Sequence, residues 1–545
     1  MLSLRPLAIA LLASAAVACS PAPDPRTAVP HRAAPTAAEP VAAHIADTAA
    51  AHAEAGVAWE TGDVDAAFAK ARAERKPVFL YWGAVWCPPC NQVKATLFNR
   101  QDFIERSRYF VPVYVDGDGP SAQKLGARFK VSAYPTMILF RPDATEITRL
   151  PGEVDATRYL DVLALGMNGA RPVRETLDRA LEVRGAGSGP MGEEDWRMLA
   201  YYSWETDEQQ LVAKNRLAPT LQRVAKACPA QYAKTAERLR LLALATAASA
   251  KDAKPHNDAA AREWLMHVAG DPASVRDNFD LVVYHAAALA KYVTVDAAAR
   301  DRMVAALNAA LGALVEDTTL SIADRLAALS AQLDLARIDT PKGALAPTLQ
   351  QRVRDYAAKA DREARGPYER QAVISAAADV LAEAGLLDES DAMLRAELAR
   401  SHAPYYFMLG LAANAETRGD KAASLDWAQR AYAAAEGPAT RLQWGTHYVN
   451  ALIKLAPGDA DRIAGAAIQV IGELDPTPDT FYERNRRGLD RMGRKLLEWN
   501  KSNRHAAQLQ RVRTALGALC GKLPAHDASR TACDGILRPG QASSA

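Results

Sequence analysis

The pentapeptide Trp-Cys-Pro-Pro-Cys at residues 86–90 constrains the fold of this chain more than any other feature. It follows residues 78–82, five apolar or aromatic residues that predict a buried β-strand, and it precedes helical sequence from Asn91. This position puts the first thiol at a helix N-terminus, where unpaired backbone N–H groups and the helix dipole favour the thiolate. The pattern therefore predicts a reactive dithiol at a strand–helix junction.

The thiolate is the nucleophile of disulfide exchange, so Cys87 is the predicted attacking cysteine and Cys90 the one that resolves the mixed disulfide. Two other roles stay open for the pair: an inert structural disulfide and a zinc site. Zinc would need a second pair of ligands, and Cys228, Cys520 and Cys533 form no such pair nearby. We therefore expect no bound metal.

Strand and helix patterns alternate across the predicted domain of residues 56–168, which implies an α/β layer fold. The predicted helices are 63–74, 121–129 and 155–165, and the predicted strands are 78–82, 109–116, 137–140 and 145–150.

The predicted domain of residues 56–168 resembles the thioredoxin superfamily. The resemblance rests on residues 86–90 and on Tyr134, Pro135 and Thr136. It implies a thioredoxin fold with a cis peptide before Pro135, and a substrate groove shaped by those three residues. Trp86 would cover the cysteines on one side of that groove. No cofactor is implied, because the electrons reside on sulfur.

The stretch from Trp59 to Cys87 looks most like the extracytoplasmic domains of thiol:disulfide interchange proteins. The chain departs from thioredoxin at Tyr81, where the family has a buried aspartate, and at Pro112, where a lysine would be expected. Cys90 therefore lacks an evident general base. The direction of electron flow stays open.

The N-terminus is predicted to be a targeting signal rather than a folded element. Residues 1–19 have a short apolar core and end in Ala-Val-Ala-Cys, which resembles the lipobox of bacterial lipoproteins and makes Cys19 the predicted lipidation site. Ordinary cleavage after Ala18 is the alternative. Ser20 favours the outer membrane by resemblance to the lipoprotein sorting rule, and residues 20–55 form a predicted Pro/Ala-rich linker in the periplasm.

The remainder is predicted to be helical, with a linker at 169–192, a large all-α region at 193–519 and a tail at 520–545. Gly385 and Gly419 mark equivalent turns 34 residues apart, and the sequence after Gly419 resembles a tetratricopeptide unit. An α-solenoid-like region of this kind presents a concave surface to a protein ligand. The alternative is a helical domain that only packs against the redox domain.

The remaining cysteines and charges restrict the partners. Cys520 and Cys533 are predicted to form a structural disulfide, and Cys228 is either inert or a third redox thiol. The net charge of +2 argues against nucleic acid as a partner. One basic run is either a solvated helix face or a patch for an anionic partner; it comprises Arg484, Arg486, Arg487, Arg491, Arg494 and Lys495.

The sequence thus predicts an enzyme: a periplasmic, lipid-anchored thiol:disulfide oxidoreductase. Its expected partners are protein thiols and disulfides, an unidentified redox protein and a possible protein ligand of the helical region. The membrane would be contacted through the lipid anchor only. The alternative is an envelope docking or assembly protein whose thioredoxin-like domain binds extended chains without redox turnover.

Overall fold

The computed structural model describes residues 56–131, 133–150, 155–168, 171–182, 190–207, 210–256 and 258–538. The predicted signal peptide, the lipidation site Cys19 and the linker 20–55 lie outside these residues.

A mixed five-stranded sheet forms the centre of the N-terminal part. Its strands are β1 (Glu60–Thr61), β2 (Val78–Gly83), β3 (Val111–Asp116), β4 (Thr136–Phe140) and β5 (Glu146–Leu150). The order is β1-β3-β2-β4-β5; β1, β3 and β2 run parallel, and β4 is antiparallel to both β2 and β5. All residues of β2, β3 and β4 are buried, because helices cover both faces of the sheet.

Five helices accompany this sheet: α1 (Val64–Glu74), α2 (Pro88–Val93), α3 (Gln101–Ser107), α4 (Ala122–Phe129) and α5 (Ala156–Asn168). A π-helical turn, Lys94–Phe98, continues α2. Asp63 caps α1 as its sequence predicts, since its carboxylate accepts the backbone N–H groups of Asp65 and Ala66. The predicted α/β fold is confirmed, with β1 as an additional short strand.

The rest of the described chain is all-α, as predicted. Its helices are α6 (Val173–Ala180), α7 (Glu193–Ala200), α8 (Leu217–Ala227), α9 (Ala233–Ala248), α10 (Ala259–Gly270), α11 (Pro272–Asp277), α12 (Phe279–Val293), α13 (Ala297–Glu316), α14 (Ile322–Ala336), α15 (Pro347–Glu363), α16 (Gly366–Glu383), α17 (Leu387–Glu397), α18 (Pro404–Thr417), α19 (Lys421–Ala434), α20 (Pro438–Leu455), α21 (Ala460–Gly472), α22 (Glu483–Trp499), α23 (Ala506–Cys520) and α24 (Ala528–Gly535). None of the helices in the described part is both long and apolar enough to cross a membrane.

The glycine turns of the repeat-like section have the geometry that their spacing suggests. Gly385 lies between α16 and α17, Gly419 lies between α18 and α19, and both have φ of +81°. Glycine adopts this left-handed conformation without a steric penalty. The section is consistent with tetratricopeptide-like helical hairpins.

The predicted boundary between the two regions differs from the structure. The segment predicted as a linker, 169–192, contains helix α6, whose Val173 and Leu177 are buried. One hydrophobic core has buried members from Val57 to Ala243 among the described residues, so the first helices of the all-α region complete the core of the sheet. Periodicity misses this continuity because it marks apolar faces but not the neighbours that cover them.

Cys520 and Cys533 are joined by a disulfide with a Cα–Cα distance of 5.7 Å. The segment predicted as a tail contains helix α24, and this bond ties it to the end of α23. Cys228, at the end of α8, is a buried free thiol.

Candidate redox site

The two cysteines of the pentapeptide lie at the start of helix α2, at the end of β2. They form a disulfide with a Cα–Cα distance of 5.2 Å. Cys87 is the N-cap of α2, and its Sγ accepts the backbone N–H of Cys90 at 3.3 Å. Pro88 and Pro89 occupy the first two helical positions, where a missing N–H disrupts no helical bond. A sulfur that caps a helix is stabilised as a thiolate once the disulfide is reduced.

Asn91 fixes the turn that carries Cys87, a role that the sequence analysis did not assign. Its buried side-chain amide donates to the carbonyl oxygens of Val85 at 2.7 Å and of Cys87 at 2.9 Å. The carbonyls on both sides of Trp86 are therefore held by one side chain. The position of the tryptophan relative to the disulfide follows from this clamp.

The loop before β4 faces the disulfide turn, and the Tyr134–Pro135 peptide is cis. The Tyr134 ring is buried and packs edge-to-face against the Trp86 ring, with 6.2 Å between the two ring centroids. The Tyr134 hydroxyl occupies the space that a side chain at Gly117 would need. Thr136 is buried at the start of β4, and its hydroxyl donates to the carbonyl of Ala133 at 2.7 Å.

A buried lysine lies one helical turn beyond Cys90. Lys94 is 6% exposed, and its Nζ lies 5.8 Å from the Tyr114 ring centroid and 5.0 Å from that of Tyr368. Burial lowers the pKa of Lys94 to about 8, although the carboxylate of Asp116 acts in the opposite direction. The site thus holds a buried amine whose pKa is lowered to about 8, which the comparison with thioredoxin at Tyr81 and Pro112 did not reveal.

The all-α region folds back over the redox turn. Trp86, on the predicted face for substrate, stacks against Tyr406 with 17° between the rings and packs edge-on against Trp444 at 4.9 Å. Its indole Nε1 donates to the hydroxyl of Thr440 at 2.8 Å. We call the residues of the all-α region that contact the Val85–Trp86 turn or Tyr134 the cover; they are Gln371, His402, Tyr406, Thr440, Trp444 and Arg484.

Three further cover residues place polar groups against the Val85–Trp86 turn or Tyr134. Gln371 donates to the carbonyl of Trp86 at 3.2 Å, and His402 Nε2 donates to that of Val85 at 3.0 Å. The guanidinium of Arg484 lies 4.4 Å from the Tyr134 ring centroid. Neither of the two interpretations given for the basic run therefore fits Arg484, since this half-buried side chain packs against the Tyr134 ring beside the disulfide.

The cover is also joined to the loop that follows β3. Asp118 accepts the backbone N–H of Thr440 at 2.7 Å and its hydroxyl at 2.5 Å. Thr440 lies in the first turn of α20, whose N-cap is Gly437. Gly437 has φ of +82°, and a side chain there would overlap the Asp118 carboxylate. The carboxylate of one region thus caps a helix of the other.

The result is a disulfide with almost no contact with solvent. Cys87 is 3% exposed and Cys90 is fully buried. A crevice of about 90 Å³ opens beside the site, between the cis-proline loop and the first helices of the all-α region. Among the described residues, its lining includes Pro89 and Pro135 but not Cys87.

The similarity of this chain to known proteins lies in the part that contains the sheet and the Cys87–Cys90 disulfide. A family model described as a thioredoxin-like domain matches residues 64–166. The thiol:disulfide interchange protein DsbD of Pseudomonas fluorescens is 28% identical over 120 residues, 21% of this chain and 21% of that protein. DsbD 2 of Pseudomonas aeruginosa is 29% identical over 117 residues, 21% and 20% of the respective lengths. This chain therefore spans about a fifth of the length of these relatives.

Two solved structures align with the same share of the chain. The DsbH oxidoreductase is 17% identical with a TM-score of 0.19, over 20% of this chain and 85% of that one. A thioredoxin from Thermus thermophilus is 26% identical with a TM-score of 0.18, over 19% and 85%. The family match and the sheet order together establish that the N-terminal part has a thioredoxin-like fold.

Proposed function

We propose that this protein is a thiol:disulfide oxidoreductase that exchanges disulfides with protein substrates through Cys87 and Cys90. The observation that carries the proposal is the pair itself: two cysteines bonded across the N-terminus of α2, opposite a cis-proline loop. The similarity of this segment to thiol:disulfide interchange proteins supports it.

The chemistry needs only the two sulfurs. In the reducing direction the Cys87 thiolate attacks a substrate disulfide, forming a mixed disulfide and releasing one substrate thiolate. The Cys90 thiolate then attacks Cys87 Sγ, which forms the Cys87–Cys90 bond and releases the second substrate thiolate. Two electrons pass to the substrate, and the oxidising direction reverses the same steps.

Each neighbour has a defined part in this scheme. The helix N-terminus favours the thiolate of Cys87, and Pro135 and Thr136 shape the groove that receives the substrate chain. Lys94, at the start of the π-helical turn that continues α2, is proposed to take up the proton that Cys90 loses, since burial lowers the pKa of its amine to about 8. No metal or cofactor enters these steps.

The proposed location is the periplasm, with a lipid on Cys19 as the anchor and the outer membrane as its site. These features rest on the sequence of residues 1–55. A redox protein that restores the dithiol or the disulfide is the required partner, because each turnover inverts the state of the pair.

Reduction of insulin disulfides by the full chain, with dithiothreitol as electron donor, tests the proposal. The variant Cys87→Ser with Cys90→Ser should fall to the uncatalysed rate, whereas the matched control Cys228→Ser, a cysteine outside the site, should retain the wild-type rate. A double variant that reduces insulin as fast as the wild type would overturn the proposal. A cellular phenotype that survives the double variant would favour the docking role instead.

A further inference from the structure

The cover lies over the face of the thioredoxin-like domain that a substrate must reach. We propose that the cover is a gate: protein disulfides gain access to Cys87 only when the cover moves off Trp86, and the contact between Asp118 and Thr440 keeps it closed. This inference rests on the proposed function and adds a determinant of which disulfides react.

Sulfur chemistry requires such an opening. The attacking sulfur must approach in line with the bond that it breaks, so a third sulfur needs room at Cys87 Sγ. Cys87 is 3% exposed, and the neighbouring crevice includes Pro89 and Pro135 but not Cys87 in its lining. In this arrangement Cys87 therefore offers almost no surface to an incoming sulfur.

The cover is held by aromatic contacts of Trp86 with Tyr406 and Trp444 and by hydrogen bonds, and the hydrogen bonds are of a kind that can be exchanged for water. Trp86 Nε1 donates to the Thr440 hydroxyl, which in turn donates to Asp118, while the Thr440 N–H donates to the other oxygen of the same carboxylate. When the cover lifts, water can satisfy each of these polar groups, so that the hydrogen bonds add little to the net cost of opening beyond that of separating the rings.

The N-terminus of α20 supports a specific role for the contact with Asp118. Its N-cap position is occupied by Gly437, which has no side chain to cap the helix. The carboxylate of Asp118 takes that role from the other region, in the space left open by Gly437. The N-terminus of α20 is therefore satisfied in the closed state by a residue of the domain that it covers.

The test compares two threonines of α20. Thr440→Val removes the hydroxyl that links Trp86 to Asp118, while the matched control Thr446→Val removes a buried hydroxyl that bonds only within α20, to Gln443 at 3.0 Å. Asp118→Asn is a second variant that weakens the same contact from the other side. All are made in the full chain with Cys228→Ser as background.

Two rates are measured: insulin reduction, and labelling of Cys87 in the reduced protein by a maleimide that carries a long polyethylene glycol chain. Loss of two hydrogen bonds should raise both rates roughly five- to thirtyfold in Thr440→Val. Asp118→Asn should raise them in the same direction, and Thr446→Val should leave them unchanged.

Rates in Thr440→Val and Asp118→Asn equal to those of the control would overturn the gate, while an active wild type would leave the proposed function intact. The labelling rate measures opening without turnover. Faster labelling of the Thr440→Val protein therefore supports the gate even if no variant reduces insulin, an outcome that would count against the proposed function alone.

Discussion

The two disulfides of this protein are alike in burial and different in surroundings. Cys87 and Cys90 are 3% and 0% exposed, and Cys520 and Cys533 are 1% and 0% exposed. Burial alone therefore cannot separate a redox disulfide from a structural one. The distinction lies in what buries each bond.

The Cys520–Cys533 bond lies in a continuous apolar core, with buried neighbours such as Leu516 and Ile536 in the same cluster. Cys87 and Cys90 also belong to a buried apolar cluster, that of the sheet, but their bond lies at a helix N-terminus beneath a cover held in part by hydrogen bonds. An apolar core opens only when the region unfolds, whereas polar contacts between two folded regions can separate locally. The contacts that cover a buried disulfide, rather than its exposed fraction, therefore indicate whether the bond is available for exchange.

The largest expected effect concerns the second cysteine of the redox pair. Cys90→Ser leaves the Cys87 thiolate able to attack but removes the thiol that resolves the adduct. We expect a mixed disulfide with substrate to accumulate, visible as a covalent complex on a non-reducing gel. The Cys228→Ser protein should show none, and absence of the complex in Cys90→Ser would contradict the assignment of roles.

Removal of the second disulfide should change stability and leave activity in place. The bond joins residues 13 positions apart, and a loop of this size stabilises the native state by about 3 kcal/mol in the chain-entropy account. Cys520→Ala with Cys533→Ala should therefore lower the free energy of unfolding of the all-α region by about that amount, measured by denaturant titration. If the double variant lost insulin reduction at unchanged stability, Cys520–Cys533 would be needed for activity and not for stability, contrary to this prediction.

Lys94 gives a pH-dependent test of burial at the redox site. Its folded pKa is about 8 and the ordinary value is 10.5, so the unfolded chain binds this proton more tightly between those values. This residue therefore makes the free energy of unfolding rise from pH 8 toward 10.5, by up to about 3 kcal/mol.

Lys94→Met should abolish that rise, so its stability relative to the wild type should fall as the pH increases through this range. Lys226→Met, which alters an exposed lysine of α8, is the control for loss of one lysine. A difference between Lys94→Met and wild type that stays constant with pH would mean that Lys94 is not buried as described. The pH profile of insulin reduction should shift in the same variant if the amine accepts the proton of Cys90.

The smallest effect is expected at Cys228. Burial raises the pKa of this thiol to about 11, which leaves little thiolate at neutral pH. Iodoacetamide should therefore label it slowly in the native protein and rapidly in denaturant. Fast native labelling, or loss of turnover in Cys228→Ser, would make it a third redox thiol.

The local features of this structure could be predicted from the sequence. Asp63 predicted the start of α1, Gly385 and Gly419 predicted their turns, and the pentapeptide predicted the strand–helix junction, because each is decided by residues close in the chain. Helix periodicity likewise placed α1, α4 and α5 within three residues of their observed ends.

The cover could not be predicted in this way. The hydrogen bond between Trp86 and Thr440 joins residues 354 positions apart. Periodicity shows that a helix has an apolar face, but not which surface that face meets. Arg484 illustrates the limit: in the sequence it is one of several arginines, and only the fold brings it to Tyr134.

The most direct test of the central claim is equilibration of the full chain with glutathione buffers, followed by quantification of both disulfides in the same sample by alkylation and peptide mass. The account predicts that Cys87–Cys90 equilibrates between about −270 mV, the value for thioredoxin, and about −120 mV, the value for DsbA. A potential near the first would indicate a reductant and one near the second an oxidant. Cys520–Cys533 should stay oxidised throughout. If Cys87–Cys90 also resisted reduction, as structural disulfides below about −300 mV do, both bonds would be structural and the proposed activity would be wrong.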